Sequence, residues 1–444
     1  MNHPVPHIFE QTPESLRAWC AERKWQKFKA DQILEWVYQK GVIDPERMTT
    51  LSKLDREELR RDMTFLSGDV VRHVTATDGT QKLLVEWSDA APANPHSEIS
   101  NPQSTTTLLP IVGGKNTGNS ARQTECVMIP TDDRKTACIS SQVGCPVGCR
   151  FCASGLGGLD GNLSTGRIVE QVWRLGRLPG VERITNVVFM GMGEPLANFG
   201  PVTDAVRIIA SLWALGISAR KITVSTVGLP KAIDRLADEL DLPITLALSL
   251  HAPNDALRRR LIPWAEYTTI DALLASCDRW FKKTGREITL EYILLGGVND
   301  QPVHASELAA ITKRLRANVN LIRYNEVAGL PFNRPSTDDV RRFQEILRQR
   351  GVNAHIRASR GRDIAAACGQ LRRPARRRPL QTTDRRHHAA PHRPGVHGLR
   401  RWPPEPRAVL VLLRRRLQPD AHRLLPGQRP RWIRQGHAAE HLSR

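Results

Sequence analysis

Apolar residues recur every three or four positions near the start of the chain, which is the periodicity of amphipathic helices. The pattern predicts three helices, over Glu14–Lys24, Phe28–Lys40 and Leu51–Met63. Apolar and polar residues then alternate on both sides of the turn-forming pair Asp78-Gly79, so a β-hairpin is predicted there. Its two strands are predicted over Val70–Ala76 and Lys82–Trp87.

Between about residue 125 and residue 358, short runs of β-branched and aliphatic residues alternate with helical patterns. The predicted strands are Thr136–Ser140, Thr185–Met190, Lys221–Thr226, Ile244–Leu250, Ile288–Leu294, Asn318–Tyr324 and Asn353–Ala358. Helices are predicted between most of them, for example over Ser164–Leu175, Val202–Leu215, Pro230–Leu240 and Ser306–Ala317. This alternation predicts an α/β fold with parallel strands and crossover helices. About six units favour an open or partial (β/α)6 barrel, with its chemistry at the carboxyl ends of the strands.

Two segments do not continue these patterns. Residues 89–120 are rich in Ser, Thr, Asn, Pro and Gly, which predicts a disordered insert. Residues 372–444 are rich in Arg, Pro and His, lack Lys and show no sustained period, which predicts a disordered tail without a part in catalysis. This composition also fits a shifted reading frame in a GC-rich gene. The predicted domains are a helical accessory domain (1–66), a small β extension that contains the insert (67–123), the β/α core (124–371) and the tail (372–444).

The net charge of +20 is unevenly distributed along the chain. Residues 372–444 hold 19 arginines and four acidic residues, a net charge of +15, so residues 1–371 carry only +5. Charge alone leaves open whether the tail is inert or is an RNA-binding arm. Binding of RNA by the rest of the chain has to be argued from other features.

Composition excludes several classes of protein. No run approaches the ~18 apolar residues that a helix needs to cross a bilayer. The first residues, MNHPVPHIFEQTPESL, have neither the basic nor the apolar region of a secretory signal. We therefore expect a cytoplasmic protein that does not act at a membrane, in which clustered cysteines bind a metal or take part in catalysis.

Five of the eight cysteines lie between residues 126 and 152, and three of these form a CxxxCxxC motif. Cys145, Cys149 and Cys152 follow a predicted strand in one tight loop. A [4Fe–4S] cube takes one cysteine per iron, so three cysteines leave one iron open to a substrate or cofactor. The alternative is a zinc loop that borrows Cys138 or a histidine as its fourth ligand.

The CxxxCxxC motif after the first strand of a β/α repeat resembles the radical S-adenosylmethionine superfamily. Further motifs resemble one family within it, the adenine-C2 RNA methyltransferases: TACISSQVGC, GMGEPLANF, STVGLP, SLHAPND, EYILLGGVND and RGRDIAAACGQL. The resemblance covers roughly residues 15–87 and 123–371. It implies methylation of C2 of adenine 2503 in 23S rRNA and of adenine 37 in certain tRNAs.

The same resemblance implies the cofactors and partners. One [4Fe–4S] cluster per chain would be held by Cys145, Cys149 and Cys152, and two molecules of S-adenosylmethionine would be used per turnover. The RNA partners would be 23S rRNA and tRNA, and an external electron donor such as flavodoxin would reduce the cluster. We expect the enzyme to be a monomer.

Catalytic roles are implied for three residues. Cys368 would be methylated on sulfur, lose a hydrogen atom to a 5′-deoxyadenosyl radical and add to the adenine as a methylene radical. Cys138 would then attack the sulfur of Cys368, forming a transient disulfide and releasing the product. Glu125 would take the C2 proton. Without the resemblance, both cysteines are better explained as buried residues and Glu125 as a solvated one; Cys20, Cys126 and Cys277 receive no role.

The residues implied to bind S-adenosylmethionine follow strands of the predicted barrel. They are Gly193, Glu194, Ser225, Ser249, Leu250, His251 and Asn325. Gly193 and Glu194 would hold its methionine end, since a glycine permits close approach and a carboxylate pairs with an ammonium group. Without the resemblance, a histidine at position 251 would more often be a structural hydrogen-bonding residue.

Three alternatives remain open from the sequence. A sister enzyme methylates C8 of the same rRNA adenine with the same motif and both cysteines. A non-catalytic RNA-binding protein stabilised by a metal would use the cysteine loop for zinc. A degenerate paralogue would retain the motifs but be disabled by the insert or the tail.

Overall fold

The computed structural model describes residues 6–88 and 122–372; the predicted insert and nearly all of the predicted tail lie outside these ranges. The three predicted N-terminal helices are confirmed as α1 (Pro13–Glu22), α2 (Phe28–Leu34) and α3 (Lys53–Asp62). Helix α2 continues into a π-helical turn over Glu35–Gln39, so the predicted second helix is one segment with two hydrogen-bonding patterns. Capping boxes at Thr12 and Ser52 satisfy the first backbone N–H groups of α1 and α3.

The helical segment packs onto the rest of the protein through buried aromatic and polar groups. Phe9 contacts Tyr38 and Trp173, with ring centroids 5.7 Å apart in both pairs. The His7 ring lies 3.1 Å from the carboxylate of Glu170, and both side chains are fully buried. The predicted accessory domain is therefore joined to the β/α part by a continuous core.

The predicted hairpin is confirmed as β1 (Gly68–Thr75) and β2 (Gln81–Trp87), which pair antiparallel. Asp78 accepts a hydrogen bond from the Thr80 N–H at 3.0 Å and so closes the turn. Strand β3 (Arg122–Pro130) pairs with β2, and β4 (Lys135–Cys138) pairs with β3. The β extension is thus the antiparallel edge of the main sheet.

Parallel strands form the larger part of the sheet. After β4 come β7 (Asn186–Phe189), β8 (Ile222–Thr226), β9 (Thr245–Ser249), β10 (Ile288–Leu294), β11 (Ala317–Arg323) and β12 (Ala354–Arg357). The crossovers contain α4 (Thr165–Leu175), α5 (Phe199–Ala210), α6 (Pro230–Glu239), α7 (Asp255–Leu261), α8 (Ile270–Thr284), α9 (Pro302–Thr312) and α10 (Thr337–Gln349). The spatial order is β1-β2-β3-β4-β7-β8-β9-β10-β11-β12, an open sheet. The predicted partial β/α barrel is confirmed.

A second, small sheet lies inside the first crossover. Strand β5 (Gln142–Gly144) pairs antiparallel with β6 (Leu159–Asn162), and these two strands enclose the cysteine loop. Gly144 has a φ of +79°, a conformation that glycine adopts without strain. Neither strand is predicted from the sequence, since each is short and β6 lacks β-branched residues.

Several boundaries differ from the predicted ones. The first core strand ends at Cys138 rather than Ser140, because the chain turns there toward the cysteine loop.

The described part of the chain has no helix that is long and apolar enough to cross a membrane. Nothing in the fold tests the three boundaries between the four predicted domains, which stay predictions.

Candidate functional site

The cysteine loop is fixed by backbone hydrogen bonds from three directions. The N–H of Cys145 donates to Gly158 across the small sheet at 3.0 Å. The N–H of Arg150 donates to Leu261 at the end of α7, at 3.0 Å, and the N–H of Ala153 donates to Gly369 at 2.8 Å. These contacts hold Cys145, Cys149 and Cys152 in one loop at the carboxyl end of the parallel strands.

The three thiols are half-buried and lie close to further thiols. Burial raises the pKa of each above its ordinary value; neighbouring thiols of the loop raise that of Cys145 and Cys149 further, and Cys368 does so for Cys152. Three thiolates at this place therefore need a compensating positive charge, which bound iron would supply. The donor set fits an iron–sulfur cluster, because soft thiolates are the usual ligands of such clusters.

A single metal ion would require side chains that converge on one point, which an iron–sulfur cluster does not. Within residues 6–88 and 122–372, no group of three or more His, Cys, Asp or Glu side chains is arranged to hold one metal ion. The thiolates of a [4Fe–4S] cube bind different irons and therefore need not converge on one point.

A cavity of about 150 Å³ lies next to the cysteine loop. The three loop cysteines form one of its walls, and residues of strands β7 to β12, the turns after them and the segment of Cys368 line the rest. Of the residues predicted to bind S-adenosylmethionine, it is lined by Gly193, Glu194, Ser225, Ser249 and His251. The structure thus brings five of the seven predicted binding residues to the cysteines.

Glu194 is held by backbone donors at the edge of this cavity. Its two carboxylate oxygens accept hydrogen bonds from the N–H groups of Val227, at 2.7 Å, and Leu196, at 3.1 Å. Burial raises the pKa of Glu194 to about 7. Gly193 before it has a φ of +109°, and a Cβ there would come within 2.6 Å of the Ser141 hydroxyl. The turn therefore requires glycine and presents an oriented, buried carboxylate.

Two hydroxyls and an imidazole line the opposite side. Ser225 and Ser249 end neighbouring strands, and their hydroxyl oxygens lie 3.3 Å apart. His251 accepts a hydrogen bond at Nδ1 from the Ile293 N–H at 3.1 Å, and its ring packs edge-on against Phe151. Burial lowers the pKa of His251 to about 3, so the imidazole is neutral at physiological pH. Its φ of +57° is an unusual backbone conformation for a histidine.

The other two predicted binding residues lie elsewhere. Leu250 is fully buried in the hydrophobic core and does not line the cavity. Its backbone N–H donates to the backbone carbonyl of Glu291 at 3.1 Å. Asn325 borders a second cavity, and its amide donates to the Cys368 carbonyl at 3.2 Å. The structure therefore places Asn325 beside the methyl-accepting candidate.

Cys138 and Cys368 come together in this second cavity, which has a volume of about 50 Å³. Both are free thiols, and they are close enough to interact electrostatically. Burial, and then the nearby Cys368, raise the pKa of Cys138 to about 12. Cys368 also lines the first cavity, so it lies between the loop cysteines and Cys138.

Glu125 is not brought to the lining of either cavity. Its carboxylate forms an ion pair with Lys82, the Nζ–Oε1 distance being 2.7 Å, and accepts a hydrogen bond from the Arg372 N–H at 2.8 Å. A carboxylate held in this way has to exchange a partner before it takes a proton from a substrate. Since Leu371 does line the second cavity, Glu125 stands one residue behind its wall.

Two charged residues of the site were not predicted from the sequence. Arg357 ends β12 and lines both cavities, and Glu291 on β10 lines the first. One oxygen of Glu291 accepts a hydrogen bond from Asn320 at 3.0 Å, while the other is buried without a hydrogen-bond donor among the described residues. A possible signal was a charged residue within each apolar strand pattern, but only the sheet order shows that they face the cysteines.

Comparison with known proteins agrees with this site. Residues 139–309 match the family model of the radical SAM superfamily, and residues 7–64 match that of the ribosomal RNA large subunit methyltransferase N-terminal domain. The chain is 41% identical to the probable dual-specificity RNA methyltransferase RlmN of Rhodopirellula baltica, over 83% of this chain and 91% of that protein. It is 39% identical to the dual-specificity RNA methyltransferase RlmN of Dichelobacter nodosus, over 82% of this chain and 93% of that protein.

A solved structure has the same architecture. The crystal structure of a radical SAM methyltransferase from Sphaerobacter thermophilus superposes with a TM-score of 0.74 at 39% identity, covering 83% of this chain and 99% of the other. Identity at this level over nearly the whole length of these proteins establishes common descent and function class. The chain belongs to the RlmN family of radical SAM RNA methyltransferases.

Proposed function

We propose that the protein methylates C2 of adenine 2503 in 23S rRNA and C2 of adenine 37 in tRNAs, through a methylated Cys368. The observation that carries the proposal is the placement of Cys368. It borders the cavity of the three loop cysteines and shares a second cavity with Cys138. A thiol placed in this way has access to a radical generator on one side and to a resolving thiol on the other.

Residues of the first cavity bind and orient the cofactors. Cys145, Cys149 and Cys152, which line this cavity together with Glu194, would hold one [4Fe–4S] cluster, and the Glu194 carboxylate would pair with the ammonium group of S-adenosylmethionine. The hydroxyls of Ser225 and Ser249 and the neutral His251 would offer hydrogen bonds to the rest of that molecule. A cluster reduced by an external donor such as flavodoxin would supply the electron for cleavage of S-adenosylmethionine to a 5′-deoxyadenosyl radical.

Chemistry explains why a cysteine is needed as methyl carrier. C2 of adenine is electron-poor and does not attack a sulfonium methyl as a nucleophile, whereas a carbon radical can add to it. Cys368 therefore takes a methyl group from a first S-adenosylmethionine and presents it as a methylene radical formed with a second. The adenine has to be unpaired or extruded to reach this half-buried thiol.

Release of the product falls to Cys138. Its thiolate forms the disulfide with Cys368, and the bond from the Cys368 sulfur to the methylene carbon breaks. Glu125 takes the C2 proton after Lys82 or the Arg372 N–H moves away from the Glu125 carboxylate. We propose that this cycle runs in a cytoplasmic monomer, with residues 1–66 as an accessory domain, residues 67–123 as a β extension and residues 124–371 as the core.

Two cysteine variants test the order of events. Cys368→Ala is expected to abolish methyl transfer both to the protein and to RNA, since the carrier is missing. Cys138→Ala is expected to trap a covalent RNA–protein adduct that denaturing gels and mass spectrometry detect. Cys277→Ala serves as the control, because Cys277 is buried in the hydrophobic core. A Cys138→Ala enzyme with an intact cluster and no adduct contradicts the proposal.

The position of the methyl group needs its own measurement. The C8-methylating sister enzymes use the same cysteine motif and pair, and no contact of this site separates the two outcomes. Mass spectrometry of rRNA and tRNA methylated by the purified protein is expected to show 2-methyladenine. An 8-methyladenine product overturns the proposed regiochemistry and leaves the family membership intact.

A further inference from the structure

Arg357 occupies a position that the proposed cycle leaves unused. It ends β12 at the edge of the parallel sheet, where it pairs in register with Ile322 of β11. It lines both the cavity of the loop cysteines and the small cavity that contains Cys138 and Cys368. The described residues offer no other basic side chain that borders both cavities.

The guanidinium group of Arg357 is only partly used by the protein. Its one hydrogen bond to a described residue is a weak contact of 3.4 Å from Nη1 to the thioether sulfur of Met190. Arginine carries five N–H donors in a rigid fork, so most of them are left for groups in the cavities. The positive charge of Arg357 interacts most strongly with the Cys368 thiol, and it also interacts with the Glu291 carboxylate and the Cys138 thiol.

Cys138 is the group that most needs this charge. Disulfide exchange requires a thiolate, and a buried thiol resists ionisation. The titratable and charged groups facing Cys138 are Cys368 from the C-terminal segment, Cys126 from β3 and Arg357 from β12. Of these, only Arg357 favours the thiolate, because the other two would add negative charge.

We propose that Arg357 is the positioning residue that stabilises the Cys138 thiolate for its attack on Cys368. The inference rests on the proposed function, which assigns the attack to Cys138. In the step itself, an electron pair of the Cys138 sulfur forms the S–S bond, and the S–C bond from Cys368 to the methylene carbon breaks with its electron pair left on carbon. The carbon takes up the proton that the Cys138 thiol gave up, so the two cysteines are oxidised and the methylene is reduced to methyl.

The first test measures the ionisation of Cys138 without any turnover. In a Cys368→Ala background, the rate of alkylation of Cys138 by iodoacetamide is followed against pH, and the modified peptide is identified by mass spectrometry. Since the pKa of Cys138 lies far above pH 9, the rate between pH 7 and pH 9 is proportional to the thiolate fraction, and Arg357→Met is expected to lower it about tenfold at each pH. Arg357→Lys is expected to restore most of the rate, since it keeps the charge.

Arg360→Met is the matched control for this measurement. Arg360 borders the same small cavity but interacts with Asp78 rather than with the cysteines, so its loss is expected to leave the alkylation rate unchanged. An unchanged rate in Arg357→Met, or equal losses of rate in the two methionine variants, overturns the proposal. Arg357→Gln replaces the methionine variant if the latter does not fold, and the same two outcomes apply to it.

The second test follows the adduct in the cysteine-intact enzyme. Arg357→Met is expected to accumulate an RNA–protein adduct that decays about tenfold faster for each unit of pH increase, because pH restores the thiolate. The adduct of Cys138→Ala has no thiol to resolve it and is expected to persist at every pH. Absence of an adduct in Cys138→Ala refutes the proposed function, whereas a pH-independent decay in Arg357→Met refutes only the role of Arg357.

Discussion

Buried ionisable side chains determine the chemistry of this site at the scale of single residues. Glu194, His251 and Cys138 lie in the same region of the sheet. Burial raises the pKa of Glu194 and Cys138 but lowers that of His251. The pKa of the carboxyl is raised to about 7 and that of the imidazole lowered to about 3, which brings both toward their neutral forms. Bound cofactors and Arg357 therefore decide which groups carry charge during turnover.

His251 gives a prediction about stability and pH. Its folded pKa, about 3, lies below the value of about 6.5 in an unfolded chain. The neutral ring therefore stabilises the fold fully above pH 6.5, and this contribution is lost as the pH falls toward 3, at up to about 1.4 kcal/mol per pH unit. His251→Asn should remove that dependence, and asparagine tolerates the same positive φ.

The measurement is the free energy of unfolding in urea between pH 4.5 and pH 7. His355→Asn is the matched control, because His355 is exposed on β12 and its replacement should leave the slope of the parent chain. Parallel slopes for the parent chain and His251→Asn would show that the ring does not stay neutral in the fold.

At the scale of elements, the hairpin of β1 and β2 holds the segment that carries Cys368. Asp78 at its turn accepts a hydrogen bond from the Gly361 N–H at 2.9 Å, and Lys82 donates to the Ala365 carbonyl at 3.0 Å. In the opposite direction, Asp363 accepts from the Thr77 N–H at 2.9 Å. The hairpin is therefore a support for the methyl carrier as well as an edge of the sheet.

Asp78→Ala should loosen this support without disturbing the core. Loss of hydrogen bonds to a carboxylate costs about 1–3 kcal/mol locally, so amide exchange over residues 361–371 should become at least fivefold faster. Hydrogen–deuterium exchange with mass spectrometry measures this directly. Asp132→Ala, on the exposed turn between β3 and β4, should leave the exchange of that segment unchanged; equal acceleration in both variants would show that Asp78 has no specific role.

Most helices and strands of the fold could be predicted from the sequence. Helices α1 and α3 and the seven parallel strands follow from periodicity, because burial on one or both faces leaves a regular apolar pattern. The small sheet of β5 and β6 could not be predicted, since its strands pair around a loop whose conformation depends on Gly144.

The same limit applies to the candidate site. Chain spacing places Cys145, Cys149 and Cys152 in one loop, but it gives no information on contacts between distant strands. The ion pair of Lys82 with Glu125 and the position of Arg357 between the two cavities depend on sheet order.

At the scale of the whole molecule, every group assigned to the site lies within residues 6–88 and 122–372. Among these described residues, the last contacts in chain order come from Leu371, whose carbonyl accepts from the Ser154 hydroxyl at 2.6 Å, and from Arg372, whose N–H donates to Glu125. The predicted tail, with its charge of +15, begins at this point.

Truncation after Arg372 should therefore retain methyl transfer to RNA within about twofold, because both C-terminal contacts remain. Truncation after Gly369 should reduce it strongly, since it removes both contacts together with Leu371, which lines the second cavity. Methyl transfer to both RNAs is assayed for the two chains, alongside RNA affinity at several salt concentrations. A large loss of transfer and a shallower salt dependence after the first truncation would favour the tail as an RNA-binding arm.

The central claim is that Cys145, Cys149 and Cys152 hold an iron–sulfur cube. Its most direct test is the iron, sulfide and zinc content of the protein after anaerobic reconstitution, with Cys149→Ala measured in parallel. We expect about four irons and four sulfides per chain in the parent and a clear loss of both in the variant. A parent chain that binds zinc alone, or iron without sulfide, contradicts it.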